Sequence, residues 1–97
     1  MNKVELAQAL LLKEAVVIEN ENQERTVRSV CKKCGFAVNL SKDLESDYFP
    51  KYAVGYLVDD ELVVSLKPRD KIEAKGYFVI TVNQFSKEIK GENNEKR

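Results

Sequence analysis

The segment Cys31-Lys32-Lys33-Cys34-Gly35 constrains this chain more than any other, because it sets two thiols three residues apart and follows them with a glycine. Two thiolates at this spacing can chelate one metal ion, and Gly35 can take the left-handed backbone conformation that a tight turn around the metal needs. A closed structural zinc site takes four ligands, and the chain has no further Cys and no His. The segment is therefore half a site. Three readings follow. Two chains could share one four-thiolate zinc across a twofold axis, with Cys31 and Cys34 supplied by each. The segment could be a plain turn with free thiols. It could also be a redox dithiol, although reactive pairs of this kind sit at a helix N-terminus that lowers the thiol pKa. The flanking residues read as strands, so the expected form is a knuckle between two strands.

The rest of the chain reads as helix, strand, strand, knuckle, strand and a second hairpin. Residues 2–12 carry Val4, Ala7 and Leu11 on one helical stripe, and Asn2 with Glu5 forms a capping-box signature. Residues 15–18 are a mostly β-branched run. A polar turn is expected at 20–23 and a returning strand over 26–31. Phe36, Val38 and Leu40 then alternate with Ala37 and Asn39, the period-2 pattern of a half-buried strand. Residues 41–50 break the pattern with Asp43, Ser46, Asp47 and Pro50. Residues 52–58 and 62–66 form a hairpin about Asp59-Asp60-Glu61, a solvated tip that lacks the spaced oxygens of a calcium loop. Over 68–76, Pro68 and Gly76 would fit a short helix. The alternation of Ile72 and Ala74 before the strong strand signal of 77–82 favours a strand instead. Residues 84–89 suit a closing turn of helix, and 90–97 a disordered charged tail.

The expected fold is α+β but mainly β: an N-terminal helix followed by a small antiparallel sheet or barrel of about six short strands, in one domain over 1–89. With 43% hydrophobic and 33% charged residues the chain is globular rather than disordered. No apolar run approaches a membrane span, and the Leu10-Leu11-Leu12 cluster is too short for a signal peptide. The cysteines are accordingly expected to be reduced, in a cytoplasmic protein. Lys outnumbers Arg twelve to four, a bias common where coding DNA is AT-rich, as in low-GC bacteria and their phages.

Charge is balanced in sum and segregated along the chain. Residues 25–42 hold Arg25, Arg28, Lys32, Lys33 and Lys42 and no acid, whereas 43–61 hold six acids against Lys51 alone. The basic stretch, with Phe36 beside it, is a candidate nucleic-acid contact, although the sequence pI near 6.3 is far below that of a dedicated nucleic-acid domain. Tyr48, Phe49, Tyr52 and Tyr56 form an aromatic strip, half of it expected to pack in the core and any exposed remainder suited to a protein interface. Enzymatic function is not expected: there is no His for general-base work, no glycine-rich phosphate loop and no activator for a Cys nucleophile. The expected function is a small, non-enzymatic interaction or regulatory protein, a homodimer that binds a protein partner. The alternative is a nucleic-acid-binding module built on 25–42.

Overall fold

The computed structural model describes residues 2–42 and 44–89. The expected tail at 90–97 lies outside the described residues. Among the described residues four helices and five strands follow in the order α1 (Lys3–Lys13), β1 (Glu14–Ile18), α2 (Glu21–Cys34), β2 (Ala37–Leu40), β3 (Lys51–Val58), β4 (Glu61–Lys67), α3 (Arg69–Lys75), β5 (Phe78–Thr81) and α4 (Val82–Ile89). The fold is α+β. One open sheet with strand order β2-β4-β3-β1-β5 replaces the expected antiparallel sheet or barrel of six strands. Its pairing is mixed. β1 runs parallel to β5 and β2 parallel to β4, while β3 is antiparallel to both β1 and β4. Four strands thus point one way and β3 alone runs against them.

That polarity explains the two largest departures from the sequence reading. Parallel strands cannot be joined by a tight turn, so the chain must cross a sheet face between β1 and β2, and again between β4 and β5. The first crossing is α2, where a turn and a strand were expected over 20–31. The second is α3, where a strand was expected before Gly76.

Local chemistry agrees with both helices. Asn20 caps α2, its side chain accepting from the Gln23 amide at 2.9 Å, while Gln23 Oε1 accepts from the Glu19 amide at 2.8 Å. At the other end Gly35 is left-handed, with φ 82°. The Phe36 amide returns to the Cys31 carbonyl at 2.8 Å and the Gly35 amide to the Lys32 carbonyl at 3.0 Å, a Schellman closure. The left-handed glycine inferred from the sequence is real, and it ends a helix rather than shaping a knuckle between strands. In α3, Pro68 precedes the first helical residue and Gly76 closes the last turn with φ 72°.

Where local signals and topology agree, the expected elements form. The capping box of Asn2 and Glu5 starts α1. Asp59 and Asp60, both with positive φ, make the two-residue turn between β3 and β4. A reciprocal pair between Thr81 and Gln84, at 2.8 and 3.0 Å, starts α4.

The two sheet faces are covered unequally. On one face Val16, Ile18, Ala53, Leu62, Val64 and Leu66 meet Ala7 and Leu11 of α1, Val27 and Cys31 of α2, and Val82, Phe85 and Ile89 of α4. At Gly55 the close approach of α1 leaves no room for a side chain: a Cβ there would lie 3.1 Å from Leu11 Cβ and 2.9 Å from Leu62 Cδ1. The opposite face has a smaller cluster of Ala15, Tyr52, Val54 and Ile72, covered by α3.

Candidate interaction surfaces

The helix α2 organises everything the sequence marked as basic or thiol-bearing. Its buried stripe is Val27 and Cys31, with Val30 and Cys34 half-buried beside them, so the cysteines face the sheet as apolar residues. Cys31 is 0% exposed. Burial, aided by the neighbouring Cys34 and opposed by Arg28, pushes its thiol up to about 12, and burial also raises Cys34. Both thiols are free and protonated at neutral pH, the reverse of an activated redox pair. Among the described residues no group of three or more His, Cys, Asp or Glu could hold a metal ion. A zinc shared between two chains would have to draw Cys31 out of the core.

The basic residues do not converge on one surface. Arg25, Arg28 and Lys32 recur along one side of α2, but Lys33 is displaced around the helix and Lys42 lies beyond β2. Arg25 pairs with Glu21 at 3.5 Å and Arg28 with Glu24 at 2.8 Å, each one helical turn away. Arg28 and Lys32 also line a shallow concavity of about 530 Å³ with Gly35, Phe36, Ala37 and Val38.

At the carboxyl end of the parallel strands a second concavity of about 450 Å³ lies between α2 and the 41–50 connection, lined by Glu21, Glu24, Arg25, Arg28, Ser46, Asp47 and Phe49. Behind it Lys51, level with Ile18 at the start of β3, is 0% exposed. Its ammonium donates to Glu24 Oε1 at 2.6 Å and to the Ser46 carbonyl at 2.6 Å, and lies 3.9 Å from the centre of the Phe49 ring. Burial opposes the charge on Glu24. The hydrogen bonds and attraction from Lys51 and Arg28 outweigh it and hold the carboxyl below its usual range. With two hydrogen bonds to protein groups and no exposed area, this lysine ties the connection to α2 and is closed to an outside ligand. Nothing in the sequence singled it out.

The aromatic strip divides. Tyr52 is buried, its hydroxyl accepting from Arg69 Nε at 3.2 Å, and Phe49 is half-buried beneath Lys51. These two are the half of the strip that packs inward. Tyr48 and Tyr56 are exposed.

Tyr56 belongs to a larger exposed group that sequence reasoning missed. Leu57 and Val58 follow it on the hairpin, and Phe78 and Val79 open β5. Phe78 is 79% exposed. The registers bring these together. Phe78 pairs with Glu14, and the β1–β3 register carries Glu14 level with Gly55, so Tyr56, Leu57 and Val58 project past the same end of the sheet. Leu57 and Phe78 lie on the three-helix face; Tyr56, Val58 and Val79 lie on the other. An apolar cap thus wraps the amino-terminal end of the parallel strands. The available signal was Phe78-Val79-Ile80, three apolar residues in succession on a short strand, where an edge with one wet face would alternate.

Comparison with protein-family models, with curated proteins and with solved structures gives no match to this chain. Among the described residues no helix is long and apolar enough to cross a membrane.

Proposed function

We propose that this chain is a non-enzymatic interaction domain that binds protein, as a homodimer, through the apolar end of its sheet. The observation that carries the reading is Phe78, 79% exposed beside Val79 and near Tyr56, Leu57 and Val58. Fully burying a phenylalanine side chain is worth about 1.5–3 kcal/mol, and with most of this ring bare most of that is still to be gained. Contiguous apolar surface of this kind marks contact sites on soluble proteins. A reducing, cytoplasmic setting suits the free thiols.

The test compares the parent with a Phe78→Ser, Leu57→Ser variant, both shown to be folded by circular dichroism, in cross-linking and co-purification from cells that express the chain. Proteins held by the parent and released by the variant are the expected result. Equal retention by both would overturn the assignment of this surface.

The concavity along Arg28, Lys32 and Phe36 favours a second reading, contact with nucleic acid. It requires retention on heparin or random DNA at low salt that falls steeply as salt is added and disappears in Lys32→Glu, Lys33→Glu. Because Glu21 and Glu24 already engage two of the five bases, no such retention is expected.

A further inference from the structure

We draw no further inference here: the strongest candidate, the exposed apolar patch of Leu57, Val58, Phe78 and Val79 at the end of the sheet where β1, β4 and β5 begin, has bases and acids intermixed around it, and nothing in the structure shows what covers it.

Discussion

Replacing Lys51 with methionine removes one partner of a buried ion pair while keeping most of the side-chain volume. The ammonium has no exposed area and binds Glu24 at 2.6 Å, and the Glu24 side chain is itself only 14% exposed. Removing one member of such a pair typically costs 3–5 kcal/mol, because the other charge stays buried and uncompensated. Here Glu24 keeps its 2.8 Å bond to Arg28, whose side chain is 43% exposed and whose help is screened by water. The expected loss for Lys51→Met is therefore at the low end, about 3 kcal/mol. For a domain of this size that is a substantial part of a total stability of about 5–15 kcal/mol. It corresponds to a fall in Tm of roughly 12–24 °C. Glu24→Gln should cost about as much, since the wholly buried ammonium keeps an amide oxygen, the Ser46 carbonyl and the Phe49 ring but loses its counter-charge. Combining the two should cost far less than the sum, with a coupling of about 1–3 kcal/mol. Urea unfolding at neutral pH, fitted with a common m-value, measures all three. A single-variant loss below about 1 kcal/mol, or strict additivity in the double variant, would refute the claim that this pair anchors the 41–50 connection to α2.

The remaining expectations concern the core and pH. Gly55→Ala should lose about 1–3 kcal/mol by overpacking against Leu62 and Leu11. Gly35→Ala, with open space but φ 82°, should lose about 1 kcal/mol through backbone strain alone. Glu24 has a lowered folded pKa, so its contribution is complete above the ordinary carboxylate value and declines as pH falls through it towards the folded value. Urea midpoints between neutral and acid pH should show that loss in the parent and not in Glu24→Gln. Cys31 is raised from 9.0 to about 12, so its contribution is complete below the ordinary value and declines as pH climbs between the two, which Cys31→Ala should relieve. Cys31→Ser should destabilise by about 1–3 kcal/mol through a buried hydroxyl, equally with and without chelator. A chelator-dependent loss would return the pair to a metal site.

Much of the fold was legible where local signals suffice. The stripe of α1 with its Asn2–Glu5 box, the hairpin about Asp59 and Asp60, and the apolar run of β5 each stand on contacts within a few residues. The failure at α2 is instructive because the helical evidence was present. Val27, Val30, Cys31 and Cys34 recur at three- and four-residue steps, Glu21 precedes Arg25 and Glu24 precedes Arg28 by one turn, Asn20 can cap and Gly35 can close. Val27 and Val30, flanking Arg28 and Ser29, also suit a strand, and the cap residues suit a turn. What decides between them is the direction of β2, set by its pairing with β4 some 26 residues away in register, and no local pattern carries that.

The site divides on the same principle. That part of the aromatic strip would stay exposed was legible, because an aromatic on a strand must either pack or protrude, and Tyr56 is exposed. Tyr52 has the same chemistry and the same strand, yet it is buried, because α3 crosses its end of the face and leaves the hairpin end bare. Phe78 and Leu57 escaped notice for the converse reason: each looks like core until the sheet order makes β5 an edge and carries the hairpin beyond β1. The exposed cap is thus a product of topology acting on ordinary strand residues. The three-helix face is closed by α1, α2 and α4, and the opposite face is half closed by the seven residues of α3. Helix α1 ends at Lys13, where β1 begins, and Leu11 lies against Gly55, but beyond that point Leu57 and Phe78 stay bare. The core is completed by other residues, and Phe78, mostly exposed, adds little to it. A phenylalanine left bare in that position has apolar area to bury against something outside the chain's own core.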